Sequence, residues 1–260
     1  MKDFTLDVYE QLILCIKRSG YTIIPYRDWP FHSDTDKKVL LLRHDVDDYP
    51  TRALEMAELE CRMGIYSSYY FRFTKEVFQE NLLRSIYRCG HEIGYHYETF
   101  SLEKGDREKA HHRFVRALER FREISPIQTI SPHGSPLSSY DNRDLWIDKE
   151  YKSWGITADV SLDTDFTQIL YLTDTGRSWN SPFNRRDRVE EGISLDIRTT
   201  SELMAGFENG VLPNKIMINV HPQRWTNSVL TWHREKWVQQ QKNWIKYVFF
   251  QRNDRDPKQE

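Results

Sequence analysis

The sequence predicts an α/β fold built on a parallel sheet, and three observations carry that expectation. Between Lys38 and Phe250, short apolar, β-branched or aromatic runs alternate with longer amphipathic stretches, as in repeated βα units. Gly64, Gly90 and Gly155 stand just past three of those stretches, where a left-handed helix end favours a residue without a Cβ. Polar side chains collect at the C-terminal ends of the apolar runs, where parallel α/β folds bind their ligands.

In chain order, residues 1–37 form an N-terminal extension: a helix over 6–19, then the strand-like YTIIPY. The apolar VLLLR makes a strand over 39–43, followed by a helix over 51–63 that stops at Gly64. Aromatic SSYYFRF predicts a strand over 67–73, and residues 75–88 a helix that stops before Gly90. HEIGYH is a strand over 91–96, with a long amphipathic helix over 106–124 behind it. Strands over 128–131 and 157–161 flank a helix over 141–154, which stops at Gly155. A helix over 199–207 leads into the strand KIMINV at 215–220. A closing helix over 227–250 and a polar tail, 251–260, complete a single catalytic domain over 1–260. No low-complexity linker divides it.

The 260 residues carry 37 basic and 39 acidic side chains, a net charge of -2 that supplies no long-range field for nucleic acid or an anionic membrane. The first residues carry Asp3, Asp7 and Glu10 and no apolar h-region. No apolar run approaches the ~20 residues of a membrane span. Cys15, Cys61 and Cys89 form neither a paired disulfide framework nor a C-x-x-C knuckle and read as small core hydrophobes. These features are those of a cytoplasmic protein. Aromatic residues make up 13% of the chain; most such rings are core, while rings in a cleft stack on sugars.

Asp45 and Asp47 follow the first strand, His96 and Glu98 the third, His133 the fourth, Asp159 the fifth and His221 the last. In an extended LLLRHDVDD, Arg43, Asp45 and Asp47 face one way and His44 and Val46 the other. Carboxylates so crowded repel unless a cation intervenes, and a divalent metal resolves the repulsion. The alternative is an Asp-rich loop capping the helix near Thr51. In HEIGYHYE, Glu92, Gly94, His96 and Glu98 share a face, leaving His91 structural and His96 with Glu98 reactive. ISPHGSP places His133 in a rigid turn between Pro132 and Gly134, suited to aiming backbone N–H groups into a cavity. INVHPQRW sets His221 after an apolar strand and before a proline. His32, His44, His111, His112 and His233 lack such placement and read as packing or surface.

At these residues the chain resembles the polysaccharide deacetylases, the NodB-homology carbohydrate esterases of the family 4 type. That family carries T-F-D-D-G, then G-H-E-I-G-x-H and H-[ST]-x-x-H, then R-x-P-x-G, and a last strand ending in His. Here GHEIGYH matches closely, RHDVD, ISPHG and INVHP more loosely. The resemblance implies a distorted (β/α) barrel of about seven repeats and hydrolysis of an N-acetyl group on an amino sugar. It assigns Asp45 as catalytic base, His221 as acid, and Asp47 and His96 as metal ligands, zinc being the expected ion. Pro132 and Gly134 match the P-x-G pair, Gly134 lining the substrate.

Two departures stand out. Phe100 replaces the family's second metal histidine, leaving His133 or Glu98 to supply a third ligand, or the metal lost. Ile130 replaces the arginine of R-x-P-x-G. YLTDTGRSWN looks like a subgroup signature in which Asp174, Arg177 and Trp179 orient a sugar or restore the missing arginine's charge; an ordinary surface loop is the alternative. Glu98, Gly134, Asp174, Arg177 and Trp225 are thus the expected substrate-binding residues. The expected partner is an amino sugar, nucleotide-linked, lipid-linked or oligosaccharide, met in surface-polysaccharide assembly. Two rival readings remain: a metal-independent amide hydrolase of the same fold, favoured by Phe100, and a non-catalytic sugar-binding homologue.

Overall fold

The computed structural model describes residues 2–147, 150–179, 195–238 and 240–241. Helix α1 (Leu6–Arg18) leads, with Thr5 accepting from the Val8 amide at its start and Tyr9, Leu12, Ile13 and Ile16 on its buried face. The strands follow as β1 (Thr22–Ile24), β2 (Val39–Val46), β3 (Ser68–Phe71), β4 (Glu92–Tyr97), β5 (Thr129–Pro132), β6 (Ala158–Asp159), β7 (Leu170–Thr173) and β8 (Lys215–Val220). They form one parallel sheet in the order β6-β5-β4-β3-β2-β8-β7, with β1 beside the first half of β2. Parallel neighbours need crossovers, and helices supply several of them. These are α2 (Pro50–Arg62), α3 (Glu80–Arg88), the short α4 (Thr99–Leu102) with α5 (Arg107–Arg122), and α6 (Thr200–Glu208) before β8.

The sheet curls. Val160, just past β6, and Ile169, just before β7, come from its opposite ends, yet both pack with Val39, Leu41, Tyr70 and Met217 in one apolar cluster. Among the described residues no ladder joins β6 to β7, so the barrel is incomplete, a distorted (β/α) barrel of about seven repeats as expected. Helices α2, α3 and α5 cover β3 and β4 from outside, and α1 and α6 cover β7 and β8. All eight residues of β2 are buried, so its Arg, His and Asp must be paired within the protein.

Several boundaries differ from expectation for identifiable reasons. β2 runs on to Val46 because residues 43–46 pair with Ser68–Phe71, so Asp45 lies inside the strand. Helix α3 starts at Glu80, five residues late. The helix expected over 141–154 is two 3-10 turns, Asn142–Leu145 and Glu150–Trp154, and Trp146 between them packs edge-on to Phe114 of α5. β7 falls in a stretch read as a loop. Residues 229–238 are helical, while the rest of the expected closing helix and the polar tail lie largely outside the described residues. Cys15 is buried as expected, but Cys61 is exposed. Gly64 and Gly90 do end α2 and α3 with φ of +68° and +93°.

Candidate active site

The two-residue period of β2 builds the first part of the site. Arg43 and Asp45 share the concave face, and Arg43 Nη2 donates to Asp45 Oδ2 at 2.7 Å while Nε reaches Oδ1 at 3.2 Å. The same Nη2 donates to Ser131 Oγ at 2.7 Å, and Asn219 Nδ2 donates to Asp45 Oδ2 at 2.9 Å. Burial alone raises a carboxyl; here the Arg43 charge, helped by His96 and His221, outweighs it and brings Asp45 down to about 2. Tyr70 lies beneath, its ring 5.5 Å from the guanidinium, and occupies space that any Cβ at position 94 would invade at 2.3 Å. Gly94 of GHEIGYH therefore makes room for the ring that supports Arg43.

The second part joins three strand ends. His96 at the end of β4 donates from Nδ1 to Ser131 O at 3.0 Å, so Nε2 presents its lone pair to the cavity. His133, just past β5, directs Nδ1 to Glu98 Oε2 at 3.0 Å and likewise presents Nε2. Asp47, just past β2, meets both: Oδ1 lies 3.5 Å from His96 Nε2 and 3.7 Å from His133 Nε2. That Oδ1 is buried and has no hydrogen-bond partner, whereas Oδ2 accepts from Gln223 Nε2 at 3.1 Å. One carboxylate oxygen and two imidazole nitrogens, all within 4.8 Å of one another, face a common point. This donor set, with a carboxylate and a carbonyl behind the two imidazoles, fits a zinc-type divalent ion.

His221 closes the third side. Its Nδ1 lies 2.6 Å from Asp174 Oδ1, and its backbone N–H donates to Asp174 Oδ2 at 3.1 Å. Arg224 Nη1 (2.8 Å) and Trp225 Nε1 (2.7 Å) also donate to Asp174. Burial pushes the Asp174 carboxyl up, but the Arg224 and His221 charges override it and hold it down. His221 Nε2 is left facing the cavity, 3.8 Å from Asp47 Oδ2.

Asp45, Asp47, His96, His133 and His221 thus surround one point, while the residues expected to bind substrate are placed otherwise. Asp174 is sealed behind His221 and orients it. Trp225 is fully buried against Phe4 and Tyr9, and Trp179 donates from Nε1 to Thr200 in the core, so neither ring is available to stack on a sugar. Glu98 is held by a two-pronged contact with Arg72 (2.8 Å to each oxygen) and lies behind His133 rather than in the cavity. Arg177 reaches the Arg224 carbonyl and stands one layer behind His221. Gly134 does lie in the turn beside His133. The His133 amide expected to face the cavity is engaged with Tyr97 O at 2.8 Å.

Asp159 accepts from Tyr97 Oη at 2.7 Å and from the Ser161 and Leu162 amides, a turn-stabilising role away from the cluster. Phe100 packs edge-on to Tyr140 and under Arg107. Ile130 packs in the apolar cluster between the sheet and its outer helices, while its neighbour Ser131 faces Arg43, so an arginine at 130 would point away from Asp45. Arg43, Gln223 and Arg224 were not singled out by sequence reasoning. For Arg43 the signal was present, since strand alternation puts it on the Asp45 face; Gln223 and Arg224 follow a chain reversal that no periodicity describes.

No family model matches this chain and no curated protein matches it. Among solved structures it is similar to a family 4 carbohydrate esterase from Bacillus anthracis, at 13% identity over 90% of this chain and 84% of that one, with a TM-score of 0.44. A family 4 esterase from Streptococcus mutans shares 13% identity over 88% and 89%, TM-score 0.48. A family 4 pseudoenzyme from Bacillus anthracis shares 10% identity over 80% of this chain and 62% of that one, TM-score 0.45.

Proposed function

We propose that this protein is a metal-dependent hydrolase of the polysaccharide deacetylase type, removing an N-acetyl or similar acyl group from an amino sugar. The observation that carries the reading is the unpartnered Asp47 Oδ1, buried opposite two imidazole nitrogens whose other ring atoms are already bonded. Asp47, His96 and His133 would hold the ion, His133 taking the part that Phe100 leaves open. When bound, such a cation would polarise the amide carbonyl and acidify water, chemistry that Asp45 needs, because a carboxylate near pKa 2 is too weak a base for bulk water.

The residues of the chain do the rest. Asp45, 3.9 Å from His96 Nε2 through Oδ2, takes the proton of the water whose oxygen adds to the acyl carbon. Arg43 fixes that carboxylate on two sides, supplying the cationic partner expected from position 130 or from Arg177. His221 gives its Nε2 proton to the sugar nitrogen as the C–N bond breaks, releasing a free acid and an amine. Asp174 accepts from Nδ1 throughout and stabilises the imidazolium, as in other aspartate–histidine pairs.

The test is acetate release from a panel of acetamido sugars, free and as 1-phosphates, with protein stripped by chelator and reloaded with zinc. Activity lost on stripping and restored by one equivalent of zinc is the expected result. Zinc uptake by Asp47→Ala equal to that of the unsubstituted protein would sink the ligand assignment, whatever substrate is found.

A further inference from the structure

The chain after β7 turns through two consecutive left-handed residues, Gly176 (φ +80°) and Arg177 (φ +59°). A residue with a Cβ is strained there, so the surrounding structure holds Arg177 in place. Its Nη1 donates to Arg224 O at 3.0 Å, and its guanidinium lies 5.0 Å from the Phe4 ring and 5.2 Å from that of Trp232. Its Nη2 is buried with no hydrogen-bond partner. Lys2 Nζ and Lys236 Nζ approach the same Trp232 ring to 5.4 and 5.2 Å. With Arg198 these groups line a cavity of about 520 Å³.

The acid in its wall does not balance this charge. Asp3 is engaged with the amides of Phe4 and Thr200 and with the Thr200 hydroxyl, and Arg198 pairs outward with exposed Asp196 at 3.0 Å. No carboxylate among the described residues forms an ion pair with Lys2, Arg177 or Lys236. Cation–ring attraction accounts for each contact singly. It does not account for a guanidinium nitrogen buried without an acceptor. Burial, with the nearby Arg224 charge, pushes the Arg177 guanidinium down further than the Asp174, Glu235 and Asp3 carboxylates raise it.

We propose that this cavity is a binding site for a phosphate or diphosphate group of a soluble ligand. A phosphate offers several acceptor oxygens to the Lys2 and Lys236 ammonium groups and the Arg177 guanidinium that line the cavity, and Trp232 walls the site. The site is distinct from the Asp47 cluster but adjoins it: Arg177 touches Arg224, and Arg224 touches both Asp174 and His221 Nδ1 (3.0 Å). The proposal does not depend on the hydrolase reading, since binding is measured without turnover.

Isothermal titration of the full chain with inorganic pyrophosphate at low ionic strength, before and after metal stripping, tests it. Saturable binding is expected in both states, weakened at least tenfold in the double variant Lys2→Ala/Lys236→Ala and unchanged in Lys152→Ala, a lysine elsewhere on the surface. Arg177→Lys, which keeps the charge but loses the fork, should weaken binding severalfold while leaving the unfolding midpoint near that of the unsubstituted chain. Equal binding by the double variant, binding that vanishes on metal stripping, or binding only to vesicles containing phosphatidic acid and not to pyrophosphate would overturn it.

Discussion

Two corners of the molecule contain one carboxylate and two imidazoles each, and they lie on opposite faces of the same strands. On the concave face Asp47 meets His96 and His133. On the outer face, beneath α2, Glu60 meets His44 (Nε2 to Oε1, 2.8 Å) and His91 (Nδ1 to Oε2, 3.6 Å). The outer corner is closed: Tyr9 and Ser67 hydroxyls donate to Glu60, His91 Nε2 reaches Ala57 O at 3.0 Å, and the carboxylate and both rings are fully buried. The concave corner keeps one carboxylate oxygen unbonded beside two imidazole nitrogens that face it. Composition does not separate a site from a core network, and an unbonded atom alone does not either, since neither ring nitrogen of His44 makes a hydrogen bond in the outer corner; access to the cavity does, the Glu60 side chain being fully buried and that of Asp47 23% exposed.

The sharpest way to break this comparison is to truncate both acids. Glu60→Ala leaves the His44 imidazole and two hydroxyls in the core without their carboxylate partner and should cost about 3–5 kcal/mol of stability in denaturant unfolding. Asp47→Ala removes a carboxylate that is partly exposed and, against the pull of burial, held down by the imidazoles around it, so the metal-free protein should lose less than it does in Glu60→Ala, while zinc uptake disappears. Equal destabilisation by the two substitutions would make Asp47 a member of the core rather than of a site.

Next in size are the proton-transfer groups. His221→Ala should slow amide hydrolysis by at least about 100-fold with zinc content unchanged, the usual scale for a general acid. Asp174→Ala should cost nearly as much, because the pair acts as one unit; a full rate in Asp174→Ala would break the link drawn between them.

Much of the concave corner was legible in the sequence because strand alternation is local and strict. Arg43, Asp45 and Asp47 on one face and His44 on the other follow from residue parity, as does the split between His91 and His96. What parity does not convey is depth. Asp174, Trp179 and Trp225 carry polar atoms in a glycine-containing stretch or a strand-end turn and read as residues that orient or bind a sugar, yet the meeting of α1, β7 and β8 buries all three. Ile130 posed the converse problem: the missing arginine was sought at the aligned position or in a distant loop, when the replacement stands two residues before the acid it serves. Phe100 lies outside the cluster, whose third donor atom comes from His133 on the next strand.

A smaller effect concerns Gln223, whose amide N–H fixes Asp47 Oδ2 and leaves Oδ1 as the oxygen turned toward His96 and His133. Gln223→Leu should weaken zinc binding about tenfold, the lower end for a group behind a ligand, read by competition with a chromophoric chelator. An unchanged affinity would show that the orientation of Asp47 is set elsewhere.

The smallest expected effect is the shape of the acid limb of stability, to which the closed corner contributes together with Asp45 and Asp174. Burial holds the folded His91 pKa below its ordinary 6.5, so the stability contributed by its neutral form is present above pH 6.5 and declines as pH falls from there. Asp159 works in the opposite sense: burial raises it to about 6, so the folded state binds its proton first and gains stability as pH falls toward 3.8. The two offset each other, and the midpoint temperature should drift by only a few degrees between pH 6.5 and 4.5. Glu60 is different. Burial raises its carboxyl, but the His44 charge and the surrounding hydrogen bonds bring it down to about 2, so its contribution, complete above 4.5, is lost as pH falls toward 2. Thermal scans should therefore show a shallow slope that steepens below about pH 4.5, with His91→Gln altering the shallow part and Glu60→Gln reducing the steep one, of which Asp45 and Asp174 keep a share. If Glu60→Gln retains the full steep limb, the protonation that unfolds this protein occurs outside the closed corner.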